Sequence, residues 1–401
     1  MVSKAQSEIR MKILHVASFK GNIGDIANHY GFRSWFEAFF EDAVEWLEFE
    51  IRDVYRNIVG FDDCFVELAN RADLVVIGGG NFFELWVDKS PTGTSISIEK
   101  QYLDKILTPI FFNALGVDDG MGVSSITVDK FNIFFRRLIA SDQFLVSVRN
   151  DGALETLKEH INNTALLQKI ISIPDGGFFA NFRKDNQKFD QEFPVIGINL
   201  AGDMLDTRFP GNYGMHAYES FQDEFVVLME KIWHQWPTVK FVMFPHIYSD
   251  MKIYANLLDV LPDALRRNQV RVAAYDANLP AIDTIFSEYM ACTVILGMRF
   301  HANVVALANG IPSVGLYSYK QIQSLFCEIG IEKYLVDVRK PGFNQEIQHL
   351  LRKIIEDKHE VNMDLLKVKL DIEASRNRAG EVIFNWLLHH GFKTNNHGSV
   401  L

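Results

Sequence analysis

The feature that most limits the fold is a twofold series of short apolar segments alternating with longer amphipathic ones. In the first half of the chain the apolar segments are residues 11–18, 73–77, 108–115, 143–148 and 170–173. In the second half they are residues 195–200, 240–244, 270–274, 294–297 and 313–316. Near-continuous apolar strands between helices are typical of parallel sheets covered on both faces. The sequence therefore predicts an α/β fold of two doubly wound, Rossmann-like domains that face a cleft.

A polar segment at residues 181–192, NFRKDNQKFDQE, separates the two series and predicts a linker. Between the first two strands we expect a glycine turn and a helical stretch through Glu48. The predicted parts are an N-terminal Rossmann-like domain at 11–182, a C-terminal one at 193–343, helices at 344–390 that pack across the domains, and a tail at 391–401.

Composition excludes several classes of function. The chain has 40 basic and 51 acidic side chains and a net charge of −11, whereas proteins that bind the nucleic-acid backbone usually carry the opposite balance. Cys64, Cys292 and Cys327 form neither an even disulfide set nor a metal-ligand spacing, so we expect a cytoplasmic protein without a metal site. No apolar run approaches the roughly 18 residues of a membrane span.

Ligands of open α/β sheets bind at the carboxyl ends of the strands, so the candidate residues lie just past them. The candidates are Asn22, Gly24 and Asp25 after the first strand, and Gly79, Gly80 and Asn81 after the second. Glycines allow a close backbone approach, and a helix N-terminus can hold an anion or a sugar hydroxyl. The alternative is a pair of ordinary turns, the first with Asp25 capping a helix.

Three further residues follow strands and carry or accept positive charge. Arg149 can act as an anion clamp or form a structural salt bridge. His246 can donate a hydrogen bond to a phosphate or carboxylate, or it can have a purely structural role. Lys320 can contact a phosphate, or be a solvated charge on a helix.

The most informative segment is GMRFHAN at residues 297–303. Arg299 and His301 are two residues apart, so in extended backbone they point to the same side. A helix that begins at about Ala302 adds its N-terminus to the same place. This combination is typical of anion binding and proton transfer. The alternative is an arginine paired to a cleft acid, with the histidine packed beneath it.

From about Met11 to Val338 the chain resembles the polysaccharide pyruvyl transferases. The resemblance rests on ordered blocks: GNIGD at 21–25, DLVVIGGG at 73–80, SVRN at 147–150, IPDGGFF at 173–179, FPH at 244–246 and GMRFHANVVALANGIPSVGLYSYK at 297–320. The last block is the most specific. The chain departs from the family pattern at Asn150, where the family usually has aspartate, and at Gly176, where it often has proline.

The resemblance implies a two-domain protein of the glycosyltransferase-B type. Such enzymes move the pyruvyl group of phosphoenolpyruvate onto a sugar of a polysaccharide or its precursor, usually as a cyclic ketal, and release phosphate. Arg299 and His301 match the family's Arg-x-His motif, which is associated with donor binding and catalysis, and Lys320 matches a family lysine. The first domain would bind the acceptor and the second phosphoenolpyruvate, with no other cofactor.

The implied roles follow from the donor's chemistry. His301 would give a proton to the enol carbon or take one from the attacking hydroxyl, while Arg299, Lys320 and His246 neutralise the donor. Asp25 would orient or deprotonate the acceptor hydroxyl. A lipid-linked acceptor would bring the protein to a membrane surface without a span of its own. The acceptor sugar and the oligomeric state are left open.

Two other functions remain at this point. A nucleotide-sugar glycosyltransferase of the same architecture would use the glycine loops and Arg299 for a diphosphate, with Glu328 as a candidate for holding a ribose. A catalytically silent scaffold for polysaccharide assembly would need none of Arg299, His301 and Lys320.

Overall fold

A computed structural model describes residues 10–182, 193–278 and 282–395. The chain forms two compact units. The first unit comprises Met1–Phe19, Phe32–Gly176 and Ala374–Leu401, and the second comprises Lys20–Gly31 and Gly177–Glu373. The sequence predicts two continuous domains, whereas both units are discontinuous. The predicted linker lies outside the described residues from 183 onward.

The first unit is built on a six-stranded parallel sheet. Its strands are β1 (Arg10–Ala17), β2 (Ala43–Glu50), β3 (Leu74–Gly78), β5 (Ile110–Leu115), β7 (Phe144–Arg149) and β8 (Ile171–Ile173), in the order β2-β1-β3-β5-β7-β8. A separate parallel pair consists of β4 (Phe83–Glu84) and β6 (Val117–Asp118). The five strands predicted for this half of the chain all lie in the main sheet.

Helices connect the strands of this sheet along the chain. They are α2 (Ile51–Tyr55), α3 (Asp63–Arg71), α4 (Lys100–Leu103), α5 (Ser125–Ile139) and α6 (Ala153–His160), while α1 (Ile23–Glu37) belongs to the first unit only from Phe32 onward. The predicted helix through Glu48 is wrong, because α1 ends at Glu37 and β2 follows. Residues 43–50 form an edge strand with no fully buried side chain, so its apolar pattern is weak.

The second unit also contains a six-stranded parallel sheet. Its strands are β9 (Val195–Asn199), β10 (Lys240–Met243), β11 (Val270–Val272), β12 (Val294–Gly297), β13 (Ser313–Tyr317) and β14 (Leu335–Asp337), in the order β11-β10-β9-β12-β13-β14. The first five match the predicted strands closely. The sequence analysis missed β14, which has only three residues.

Nine helices are described after residue 193. They are α7 (Leu205–Arg208), α8 (Tyr218–Gln235), α9 (Asp250–Val260), α10 (Asp263–Gln269), α11 (Ile282–Tyr289), α12 (Phe300–Ala308), α13 (Lys320–Glu328), α14 (Phe343–Glu356) and α15 (Lys358–His389). None of the described helices is both long enough and apolar enough to cross a membrane.

The predicted C-terminal helical region, 344–390, corresponds to α14 and α15. Residues 358–373 of α15 belong to the second unit, where Val368 and Ile372 are buried in the core. Residues 374–389 belong to the first unit, where Trp386 Nε1 donates to the Asp142 carbonyl at 2.9 Å. In the described part of the tail, Phe392 packs against Phe40 of the same unit.

The strand order of each sheet reverses at one point, and ligands of doubly wound folds bind outside the carboxyl ends of the strands there. In the second unit the reversal lies between β9 and β12, and in the first between β1 and β3. Two parallel sheets with these orders confirm the predicted α/β fold of two Rossmann-like domains. The loops after β9 and β12 therefore lie where a ligand of the second unit is expected to bind.

Candidate functional site

In the second unit, buried amides fix the backbone at the reversal point. Asn199, the last residue of β9, donates through Nδ2 to the Phe244 carbonyl at 2.9 Å and accepts through Oδ1 from the Arg299 amide at 3.0 Å. Asn303 Nδ2 donates to the carbonyls of Gly297 at 3.0 Å and Arg299 at 2.9 Å. These hydrogen bonds attach the loop after β12 to the end of β9 and to α12.

Arg299 directs its guanidinium at two carboxylates. Nε lies 2.9 Å from Asp250 Oδ2, and Nη2 lies 2.5 Å from Asp250 Oδ1 and 2.9 Å from Asp203 Oδ1. Burial opposes the charge, but the hydrogen bonds and attraction of Asp250 and Asp203 outweigh it and raise the pKa of Arg299. In this structure Arg299 is therefore paired with acids, which is the alternative to anion binding that the sequence left open.

Asp250 is a fixed part of this arrangement. Its side chain is fully buried and accepts hydrogen bonds from the backbone amides of Gly202 at 2.8 Å, His246 at 2.9 Å and Ile247 at 3.1 Å. Asp250 is also the first residue of α9. It also holds Arg299 in place.

A second buried arginine, Arg208, lies beside Arg299 and was missed by the sequence analysis. Its Nη1 donates to Ser318 Oγ at 3.1 Å, its Nε donates to the Asp203 carbonyl at 3.1 Å, and its Nη2 is 3.6 Å from Asp203 Oδ1. Burial and the nearby charge of Arg299 lower the pKa of Arg208. Asp203 follows β9 closely enough for the strand-end rule to find it, but Arg208, in the short helix α7, gives no such signal.

His301 and Asp25 meet in the second unit. His301 Nδ1 is 3.7 Å from Asp25 Oδ1, and the two side chains are 8% and 17% exposed. The sequence predicts extended backbone through His301, but α12 already begins at Phe300. The sequence also predicts Asp25 on the first domain, whereas residues 20–31 are grouped with the second unit.

The loop before α1 is attached to the strand ends of the second unit. Asn22 forms an antiparallel bridge with Ile247, and the Ile23 amide donates to the His246 carbonyl at 3.1 Å. Asn22 Oδ1 accepts from the Gly24 amide at 2.9 Å. Because these bonds anchor the loop beside the segment after β10, Asn22 and Gly24 lie with the predicted donor residues.

His246 lies beneath this site. The ring is fully buried, and its Nε2 is 2.6 Å from the Tyr289 hydroxyl. Burial, together with the charges of Arg299 and His301, holds the pKa of His246 well below its ordinary value. The predicted role of His246 as a cation that contacts the donor is not supported by this geometry, since the ring offers neither charge nor exposed surface.

Lys320 is the first residue of α13 and is exposed. It lies just past the carboxyl end of β13, and Ser318, two residues earlier, accepts the hydrogen bond from Arg208. Lys320 therefore belongs to the same edge of the second sheet as the two arginines.

The remaining predicted residues lie in the first unit. The Gly79 amide donates to the Asn113 carbonyl at 2.9 Å, and a Cβ on the preceding Gly78 would lie 2.0 Å from that carbonyl oxygen. The Gly80 carbonyl accepts from the Gly116 amide at 3.0 Å. A side chain at Gly78 would therefore block the close approach of the β5 backbone, whereas an added Cβ at Gly80 would meet the Phe82 ring at 2.7 Å.

Asn81 and Arg149 are held by buried acids of the same unit. Asn81 Nδ2 donates to Asp118 Oδ2 at 2.8 Å. Arg149 Nε lies 2.6 Å from Asp151 Oδ2, and Nη1 lies 3.5 Å from Asp175 Oδ2. Burial raises the pKa of Asp151 to about 6, although Arg149 opposes the shift. Here too the salt-bridge alternative describes Arg149.

Glu84 of β4 is a further polar residue that the sequence analysis missed. Ser95 Oγ donates to Glu84 Oε2, and burial raises the pKa of Glu84 to about 7 against the effect of this hydrogen bond. Nothing in the pattern FFELW around it distinguishes this glutamate from a surface residue.

One group of potential metal ligands occurs among the described residues. Ligand atoms of Asp119, Glu159 and His160 lie within 4.8 Å of one another. His160 Nε2 is 3.1 Å from Asp119 Oδ2, which is the geometry of an ordinary ion pair. Such surface groups are common without a metal, so the expectation of no metal site stays a prediction.

Solved structures with a similar fold include a glycosyltransferase and proteins bound to UDP or UDP-GlcNAc. A glycosyltransferase from Rickettsia africae has a TM-score of 0.54 at 9% identity, over 94% of this chain and 99% of that one. A complex of S. aureus MnaA with UDP has a TM-score of 0.53 at 9% identity, over 94% and 96%. UDP-GlcNAc 2-epimerase from Neisseria meningitidis, bound to UDP-GlcNAc, has a TM-score of 0.51 at 12% identity, over 94% and 100%. At these identities the similarity shows the fold, which is of the glycosyltransferase-B type.

The sequence itself identifies the family. A search of curated protein sequences returns no match. The family model of the polysaccharide pyruvyl transferases, in contrast, matches residues 6–319 and so covers most of the chain, including every candidate residue except Lys320 and Glu328. The chain belongs to the polysaccharide pyruvyl transferase family.

Proposed function

We propose that this enzyme transfers the pyruvyl group of phosphoenolpyruvate to a sugar of a polysaccharide or its precursor as a cyclic ketal, and releases phosphate. One observation carries the proposal. Two buried arginines, a histidine–aspartate pair and an exposed lysine converge on the carboxyl edge of the second sheet, at the point where its strand order reverses.

The charges of this edge suit a small, highly anionic donor. Phosphoenolpyruvate carries a carboxylate and a phosphate, and planar guanidinium groups bind both in bidentate geometry. Arg299 and Arg208 supply two guanidiniums, and Lys320 supplies an exposed point charge at a helix N-terminus. No further cofactor is needed for this assignment.

The reaction requires three proton movements. His301 gives a proton to C3 of phosphoenolpyruvate, and a sugar hydroxyl then adds to C2 and returns a proton to the ring. The C2–O bond to phosphate breaks, with its electron pair on the phosphate. A second hydroxyl attacks C2 to close the ketal, and its proton leaves with the phosphate.

Asp25 acts in this proposal through His301 instead of on the acceptor. Its carboxylate lies 3.7 Å from Nδ1, where it orients the ring and stabilises positive charge that develops during proton transfer. This makes Asp25 a positioning residue. The first unit, with the polar residues after β3, remains our candidate for binding the acceptor.

The acceptor we expect is a sugar or a lipid-linked precursor that carries two neighbouring hydroxyls. We propose a cytoplasmic location, which agrees with the absence of any disulfide among Cys64, Cys292 and Cys327. Nucleic acid is not a proposed partner.

The competing function is transfer from a nucleotide sugar, since one structural neighbour is a glycosyltransferase and another binds UDP-GlcNAc. The one candidate for holding a ribose, Glu328, ends α13, whereas Lys320 begins it. At 1.5 Å per residue the two ends are about 12 Å apart, so Glu328 lies away from the strand ends. We therefore favour phosphoenolpyruvate.

The experiment that tests the proposal is a thermal shift assay with phosphoenolpyruvate and, separately, with UDP-GlcNAc, for the wild type and for Lys320→Ala. A ligand at 100 times its Kd stabilises a protein by about 2.7 kcal/mol. We expect this response to phosphoenolpyruvate in the wild type and a smaller one in the variant. Because Lys320 is exposed, its substitution should leave the unliganded protein folded.

A second measurement follows phosphate release from phosphoenolpyruvate in the presence of a panel of sugar acceptors. Stabilisation by UDP-GlcNAc alone would contradict the proposal and favour the glycosyltransferase. Failure of both ligands to stabilise the protein, together with no phosphate release across the panel, would favour a silent scaffold.

A further inference from the structure

We propose that Arg208 and Arg299 together form the binding place for the donor's carboxylate, and that Asp203 fills this place whenever no donor is bound. The identity of the donor rests on the proposed function. The claim that a ligand carboxylate can displace Asp203 rests on the geometry of the second unit alone.

Asp203 already binds as a substrate carboxylate would. Its Oδ1 is 2.9 Å from Nη2 of Arg299, and its Oδ2 is 3.5 Å from Nη1 of the same guanidinium. Its Oδ1 is also 3.6 Å from Nη2 of Arg208. Two carboxylate oxygens on the two outer nitrogens of one guanidinium are the fork geometry that arginine offers to carboxylate ligands.

The two acids on Arg299 differ in how easily they can be replaced. Asp250 is fully buried and accepts from three backbone amides, so it cannot leave without breaking the loops around it. The side chain of Asp203 is 37% exposed, so a solute can reach the same nitrogens from the solvent. A ligand carboxylate can therefore displace Asp203 but not Asp250.

The backbone around Asp203 is under strain. The next residue, Met204, has a φ of +54°, in the left-handed region that side chains other than glycine rarely adopt. Strain of this kind persists only where surrounding contacts hold it, and the ion pairs of Asp203 are such contacts. The loop can relax when Asp203 leaves.

The two arginines also explain why an internal anion is needed. Both are nearly buried, and the positive charge of each disfavours the charge of the other. A carboxylate between them offsets this repulsion, and without a ligand only Asp203 occupies that position among the described residues. Asp203 lies on the loop after β9 and Arg208 in the helix α7 that follows it, whereas Arg299 lies on the loop after β12, on the other side of the reversal point.

The test measures the Kd of three probes by titration calorimetry: phosphoenolpyruvate, pyruvate and inorganic phosphate. The variants are Asp203→Asn, which removes the charge with little change in volume, and Asp206→Asn, a matched control at an exposed position of α7. Removing the competing carboxylate should lower the Kd of phosphoenolpyruvate and of pyruvate about tenfold. This factor corresponds to the usual contribution of one hydrogen bond to a charged group. Phosphate should bind within twofold of wild type, and Asp206→Asn should match wild type throughout.

Arg208→Lys tests the same place without touching Asp203. The lysine keeps the positive charge but lacks the two parallel N–H donors of a guanidinium. We therefore expect the Kd of pyruvate to rise about tenfold and the Kd of phosphate to stay unchanged. This variant also covers the case in which Asp203→Asn does not fold.

The outcomes separate this proposal from the proposed function. An unchanged Kd of pyruvate in folded Asp203→Asn would overturn the claim that a ligand carboxylate displaces Asp203. A lower Kd of phosphate with an unchanged Kd of pyruvate would overturn the assignment of this place to the donor's carboxylate. If pyruvate binding changes as expected in both variants while no pyruvyl group is transferred from phosphoenolpyruvate, the exchange is supported and the proposed function fails.

Discussion

Gly24 should be essential for activity although it has no side chain to take part in the reaction. A Cβ added at this position would lie 2.6 Å from Cβ of His301 and 2.8 Å from its Nδ1. Nonbonded carbons pack best at about 3.5–4.0 Å. In Gly24→Ala, either the start of α1 or His301 must therefore move by about 1 Å.

The displacement allows an estimate of both effects. Overpacking a well-packed position costs about 1–3 kcal/mol of unfolding free energy, so the variant should fold. A catalytic group misplaced by about 1 Å loses about 10²-fold in rate. We therefore expect kcat to fall about 100-fold, while the Kd of phosphoenolpyruvate changes much less, because the arginines do not contact Gly24.

The assay is phosphate release under saturating donor, with thermal unfolding as the check of folding. Gly60→Ala is the matched control, since the nearest atom to its added Cβ is 3.6 Å away, an ordinary contact. Turnover of Gly24→Ala within a few-fold of Gly60→Ala would refute the argument that close packing at Gly24 positions the histidine ring.

Three further predictions follow from single residues. His301→Ala should lower kcat by about 10²–10⁴-fold with little loss of stability, as measured by steady-state kinetics and thermal unfolding. Asp250→Asn should lower the unfolding free energy by about 3–5 kcal/mol in denaturant titrations, because it leaves a buried charge on Arg299 without its main partner. Since burial raises the pKa of Glu84 from 4.5 to about 7, the wild type should lose stability as pH rises through that window. Glu84→Gln should reduce this loss in melting curves across pH, with the remainder due to Asp151, whose pKa burial raises to about 6, and Glu41→Gln, at an exposed position, should keep the loss in full.

Both sheets could be predicted from the sequence because their inner strands are continuous apolar runs. The elements that were missed lie at sheet edges. Residues 43–50 form an edge strand with three glutamates, and β14 has only three residues, so neither has a strong pattern. The sequence analysis found Arg299, His301 and Lys320 because they lie within four residues of the ends of inner strands.

The parts of the site that the sequence analysis missed or misplaced depend on contacts between distant segments. Asp25 follows β1 of the first sheet, yet the loop before it is bonded to the segment after β10, so its unit cannot be read from its position in the chain. Arg208 reaches Ser318 across 110 residues. His246 follows a strand as the rule requires, but its ring turns inward to Tyr289.

The pairing of buried arginines with internal acids explains how an acidic chain can bind a highly anionic donor. With a net charge of −11, the protein as a whole repels phosphoenolpyruvate. Two bare guanidiniums would bind it strongly but would be costly to bury without a ligand. Asp250 and Asp203 balance the two arginines in the free enzyme, and exchanging Asp203 for the donor's carboxylate keeps that balance. Donor affinity then reflects the difference between two similar carboxylates together with the contacts that the donor's phosphate makes.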